Sequence, residues 1–205
     1  MILAVVHGFI LAFGLILPLG VQNVFVFNQG ATQPKYTRAL PVVLTASLCD
    51  TLLISLAVLG VSAVLLGFSW LKVVLLSAGI VFLIYMGYVM WKSRPNASDE
   101  VGQQALTAKK QIAFAASVSL LNPHAIMDTV GVIGTSSVTY AGIDKAAFTL
   151  ACIVTSWIWF FMLAFAGRQV GKLKQAGRFL TVLNKLSALI MWGTAIYLLY
   201  TLIRG

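Results

Sequence analysis

Acidic residues are almost missing from this chain. Of 205 residues only five are Asp or Glu, and charged residues of both signs make up 9%. Histidine and cysteine occur twice each. So little charge excludes an acidic, solvated, disordered chain, and a soluble domain of this length has no room to hide the 60% of its residues that are hydrophobic. Two cysteines without a CxxC pair exclude a disulfide scaffold; Cys49 and Cys152 fall in apolar stretches and read as small core residues.

What is present is apolar run after apolar run, with a mean hydropathy of +0.96. Crossing a bilayer core takes about 20 apolar residues. Six stretches qualify: 3–28, 39–66, 70–91, 111–137, 146–167 and 180–203. The first lacks a basic n-region and an A-x-A-like end, so it reads as a retained helix rather than a cleaved signal. The chain is expected to be an all-α integral membrane protein with six transmembrane helices.

The net charge of +9 is distributed by side. Lys35 and Arg38 follow span one; Lys92, Arg94, Lys109 and Lys110 follow span three; Arg168, Lys172, Lys174 and Arg178 follow span five. Lys72, Lys145 and Arg204 lie on the opposite side, and Lys185 just inside span six. The positive-inside rule puts the basic loops in the cytoplasm and both termini outside. No aromatic-basic surface supports nucleic-acid binding.

The polar stretch SRPNASDEVGQQALTAKK, 93–110, reads as a cytoplasmic linker between two three-span halves, 1–92 and 111–205. Asp99 and Glu100 belong to it, and Asp144 beside Lys145 reads as a short external loop. Each half opens with a proline-broken span: LILPLGVQN at 15–23 and SLLNPHAIMD at 119–128. Asn23 follows Pro18 by five residues, as Asp128 follows Pro123. An odd number of helices per half inverts the second, and inverted repeats of this kind gather binding sites at the midplane.

Proline removes a backbone donor and clashes with the preceding turn, so Pro18 and Pro123 break their helices. Asn122 suits an N-cap and Pro123 a first helical position, while Gly20 relieves the backbone where span one restarts. Two half-helix N-termini facing the midplane favour an anion such as a carboxylate; the plainer alternative is two kinked, packed helices.

Asp50 and Asp128 are the only acids left inside spans. Asp50 is roughly 18 Å deep, where an unpartnered carboxylate costs about 2.5–3.5 kcal/mol. No Lys or Arg lies at its depth, so each Asp binds a proton or a transient cation, or is a protonated structural residue. His124, one turn from Asp128 on the same face, either pairs or shuttles protons or is a neutral residue bonded to a carbonyl. Gln22 and Asn23, just past the break, are expected to line the cavity, Asn28 and Gln29 to mark the membrane surface, and His7 to be structural. One His and two Asp are a weak metal set, and no paired nucleophile and base suggests an enzyme. No cofactor or resident metal is expected.

PLGVQNVFVFNQG at 18–30 and LNPHAIMDT at 121–129 resemble the two signature segments of the lysine/arginine exporter (LysE) family, and SLCDTLLI at 47–54 resembles its acidic second-helix segment. The resemblance spans essentially the whole chain. The NPH…D form is similar to the basic-amino-acid branch; threonine and homoserine exporters of the family usually have lysine after the NP. Val21 departs from the pattern, where a second proline is usual, and is expected to loosen the first break. The resemblance implies export of arginine, lysine or a close analogue from a bacterial cytoplasm, coupled to the proton-motive force. It makes Asp50 and Asp128 the functional acids, with Pro18, Asn122 and Pro123 shaping the broken helices. Divalent-cation export, as in the wider superfamily, and neutral amino-acid export stand as alternatives. Oligomeric state is open.

Overall fold

A computed structural model of the chain describes residues 1–17, 20–60, 69–92, 106–121, 125–126, 129–173 and 176–204. Among the described residues all regular structure is helical. Helix α1 (Ile2–Ile16) is followed by α2 (Val21–Thr32) at a bend of 80°. A 3-10 turn (Tyr36–Ala39) leads into α3 (Leu40–Val58), which opens with Pro41, at a position where the missing N–H costs nothing. Gly60, at φ 76°, follows the end of α3 in the left-handed conformation that favours glycine. Helix α4 spans Ser69–Lys92 and α5 Ala108–Leu120, the latter capped by the Thr107 side chain accepting from the Lys110 amide at 3.5 Å. A π-helical turn (Thr129–Gly134) and a short α-turn (Thr135–Ser137) precede α6 (Gly142–Gly171) and α7 (Ala176–Arg204).

Three helical segments are long and apolar enough to cross a membrane: Tyr36–Val58, Gly142–Gly171 and Leu180–Tyr200. The bent α1–α2 pair makes a fourth if counted as one span. The chain is therefore a multi-pass helical membrane protein. The boundaries differ from those expected in instructive ways. The second helix stops at Val58, and 61–66 lie outside the described residues. Span one continues to Thr32, and span four is split, its helix ending at Leu120. Asp144 is not in a loop but in the first turn of α6, where a negative charge complements the helix dipole.

Packing is organised by α6, which runs along both α1 and α2 and against α3. Its approach to α2 is backbone to backbone. A Cβ at Gly30 would strike the Ala164 carbonyl, and one at Gly167 the Phe27 carbonyl. Small residues permit this contact, which supplies dispersion energy where lipid provides no hydrophobic drive. The other main contacts pair α3 with α5 and with the π-helical turn, and α4 with α7, while α2 also touches α5 and α7.

The buried apolar residues fall into two clusters. One joins α2 to α7 through Val26, Val42, Met86, Val118, Phe160 and Met191. The smaller one joins α1, α3, the π-helical turn and α6 through Ala4, Ala12, Ile54, Ile133, Phe148 and Cys152. The gap between them is where the polar chemistry lies.

Candidate functional site

The break between α1 and α2 is held open by side chains. Asn23 Nδ2 donates to the Ile16 carbonyl at 2.6 Å, satisfying an acceptor that α1 leaves free at its end, and Trp159 Nε1 of α6 donates to Asn23 Oδ1 at 3.2 Å. Asn23 is thus a staple for the bend, buried to 5% exposure, as well as a cavity residue. Gly20 is the N-cap of α2, in ordinary extended geometry at φ −76°, and a Cβ there would meet nothing. Backbone relief, the expected role, is therefore not what glycine provides here. Its missing side chain leaves the start of α2 bare toward the cavity. The Val24 amide bonds to the Gly20 carbonyl at 3.1 Å in the first turn of α2, so the positive end of the helix dipole opens beside the cavity. The bend is formed with Val21 as the first, buried residue of α2; the absence of a second proline does not abolish it.

Gly20, Val21, Gln22 and Asn23 line a cavity of about 310 Å³. Asp50 of α3 enters it and accepts two hydrogen bonds, from Gln22 Nε2 at 3.1 Å and from Ser156 Oγ of α6 at 2.8 Å. One residue along, Trp157 Nε1 donates to Thr51 Oγ1 at 3.0 Å, a second tie between α3 and α6. These two neutral donors stabilise the carboxylate without cancelling its charge. No lysine or arginine lies among the described lining residues. The rest of the described lining is largely apolar, with Leu53 and Ile54 one turn along α3 from Asp50, Leu83 of α4, and Ile190 and Met191 of α7, beside the hydroxyl of Thr194. Val21, Leu83 and Met191 belong to the larger apolar cluster, and Ala12, Ile54, Ile133 and Cys152 to the smaller. The cavity therefore sits between the two cores.

Of the residues expected to form the site, Gln22, Asn23, Gly20 and Asp50 are brought together. Pro18, Asn122, Pro123, His124 and Asp128 lie outside the described residues; Ala125, next in sequence after His124, and Thr129, next after Asp128, line the cavity. Among the described residues no three His, Cys, Asp or Glu cluster as a metal site. Ser156 was not anticipated. Its signal was the small-residue face Cys152–Ser156, one helical turn apart on α6, since both line the cavity.

Asn28 and Gln29 are not surface markers. Asn28 Nδ2 donates to Asn184 Oδ1 of α7, with both residues buried. Gln29 accepts from Gln33 Nε2 at 3.0 Å, and the same nitrogen donates to the Leu106 carbonyl at 3.0 Å. That carbonyl also accepts from Gln111 Nε2 at 2.9 Å. Arg168 closes the end of α2 by donating to the Gln33 and Pro34 carbonyls at 3.3 and 3.2 Å. His7 shares a 2.8 Å hydrogen bond with the Tyr140 hydroxyl and packs on Phe148, beside the smaller core. Cys49 and Cys152 are both buried free thiols, and Cys152 Sγ donates to the Gly8 carbonyl at 3.4 Å.

The sequence matches a known family: the model of the LysE type translocator aligns with residues 13–202. The chain belongs to that family. It is 56% identical over 194 residues to the "Putative amino-acid transporter YisU" of Bacillus subtilis, covering 95% of this chain and 88% of the relative. It is 32% identical over 189 residues to the arginine exporter protein ArgO of Salmonella newport, covering 91% and 88% respectively. The same identity and coverage hold for ArgO of Salmonella typhimurium. No solved structure matches the chain.

Proposed function

We propose that the protein exports basic L-amino acids, arginine and lysine, from a bacterial cytoplasm, driven by proton entry through alternating access. The observation that carries this reading is Asp50: a carboxylate held by two neutral donors, with no basic residue among the described lining, in the same cavity as the N-terminus of α2. A basic amino acid supplies what each feature lacks. Its α-carboxylate suits the N-terminus of α2, which opens onto the cavity at Gly20, and its guanidinium or ammonium suits Asp50. The apolar wall takes the methylene stem. A volume of about 310 Å³ is near the lower limit of small-molecule pockets, which fits a single amino acid. The ArgO relatives support the same substrate class.

On the return step a proton on Asp50 replaces the departing cation, so that the empty carrier does not carry an unpaired carboxylate through the bilayer centre. The two apolar cores act as the gates, one on each side of the cavity, opening in turn. Asp128 and His124 complete the site from the second half. The halves 1–92 and 111–205 are inverted repeats of three spans each. Supporting this, the broken segment of each half packs on the second helix of the other, α1–α2 on α6 and α5 with the π-helical turn on α3, while the third helices α4 and α7 pair together. Basic loops face the cytoplasm and both termini lie outside.

The test is efflux of preloaded radiolabelled arginine and lysine from cells carrying wild type or Asp50→Asn. Efflux of both amino acids, reduced to background by the substitution with membrane abundance unchanged, is expected. Undiminished efflux from Asp50→Asn would remove Asp50 from the mechanism, and efflux of neutral amino acids alone would overturn the substrate class.

A further inference from the structure

Away from the cavity, the outer face of the α4–α7 pair carries two ammonium groups on aromatic rings. Lys92 Nζ lies 4.4 Å from the Tyr88 ring centroid, and Lys185 Nζ lies 5.6 Å from that of Trp91. Tyr88 and Trp91 are three residues apart and so share one side of α4. Trp91 in turn packs on Trp192, at 5.5 Å between centroids, and Trp192 Nε1 donates to the Ile84 carbonyl at 3.2 Å. Position along α7 rises from 185 to 192 as position along α4 falls from 91 to 84, so the two helices run antiparallel. Lys185 is therefore level with the last turn of α4, where the basic linker begins.

The lysines are not equivalent. Lys92 ends α4, where the helix dipole already favours a cation. Lys185 lies nine residues inside α7, and its neighbours Val182, Leu186 and Leu189 are exposed apolar residues that face lipid. Among the described residues no carboxylate pairs with either lysine. A cation–π contact covers one side of an ammonium and leaves its remaining donors without acceptors. At the depth where aromatic residues mark the membrane surface, the acceptor of matching charge is a lipid phosphate.

We propose that this face binds an anionic phospholipid. Its phosphate is held by Lys185 and Lys92, and its glycerol and upper acyl chains lie against Tyr88, Trp91 and the exposed leucines of α7. The site is separate from the transport cavity and stands whether or not arginine is the cargo.

Native mass spectrometry of the purified full chain tests it, with phosphatidylglycerol and phosphatidylcholine offered in equal amounts. Wild type is expected to retain phosphatidylglycerol preferentially. Retention should fall about fivefold for each of Lys92→Gln and Lys185→Gln, with phosphatidylcholine unaffected. Trp91→Leu, which keeps both charges, should weaken retention less than Lys185→Gln does. Equal retention of phosphatidylglycerol by wild type and the double variant overturns the proposal. So does displacement of the lipid by inorganic phosphate, which would mark a site for a soluble anion, and so does a dimer that the double substitution splits, which would mark this face as a contact between copies.

Discussion

At the scale of single residues, the cavity is a problem of one carboxylate and its neighbours. Ser156 and Gln22 both spend their donors on Asp50, so the site is held ready before cargo enters. A hydrogen bond to a charged acceptor contributes about 1.5–3 kcal/mol. Ser156→Ala is therefore expected to lower arginine efflux about tenfold or more. Efflux rates at equal membrane abundance check this, with Ser156→Thr, which keeps the hydroxyl, expected to restore most of the rate; a loss that Ser156→Thr does not restore would make Ser156 a packing residue only. The sequence made Asp50, Gln22 and Asn23 legible, because each is a polar side chain deep in apolar chain and has to be explained. It concealed Ser156, since a serine in a helix can satisfy itself on the preceding turn, as Ser187 does with the Leu183 carbonyl. Asn28 misled for a related reason. Its distance from the break suggested the membrane surface, but the 80° bend carries α2 inward against α7, where Asn184 meets it.

At the scale of helices, the all-helical membrane class was legible, because apolar stretches of sufficient length have few alternatives in a bilayer. Among the described residues three segments, or four with the bent pair, are long and apolar enough to cross it. The helix ends were less legible. Pattern alone cannot show that α3 finishes at Val58 before a glycine in the left-handed region, or that the fourth stretch divides at Leu120. Nor does it show how close α2 and α6 come. Gly30 rests on the Ala164 carbonyl, and neither backbone can yield without moving its helix. Gly30→Ala is expected to destabilise the protein by about 1–3 kcal/mol or more, the usual cost of overpacking. Gly14→Ala, where the added methyl meets nothing, serves as the control and should leave stability unchanged or slightly improved. Thermal unfolding in detergent distinguishes the two. Equal melting would mean that the α2–α6 approach is looser than its geometry implies.

At the scale of the whole molecule, the contacts that matter cross from one half to the other. Helix α6 grips α1 and α2, α3 meets α5, and α4 meets α7. Leu106, near the end of the linker, is anchored through its carbonyl to Gln33 of the first half and Gln111 of the second. Gln111 also donates to the Arg38 carbonyl at 3.0 Å, so the second half begins already tied to the first. The peptide link between Lys92 and Leu106 is then an accessory. Two separate polypeptides, 1–92 and 106–205, should find each other in the membrane, co-purify, and restore efflux when expressed from two genes. Failure of the fragments to co-purify would mean that assembly depends on continuity of the chain. Their success would make this single chain, in physical terms, a heterodimer whose subunits happen to be joined.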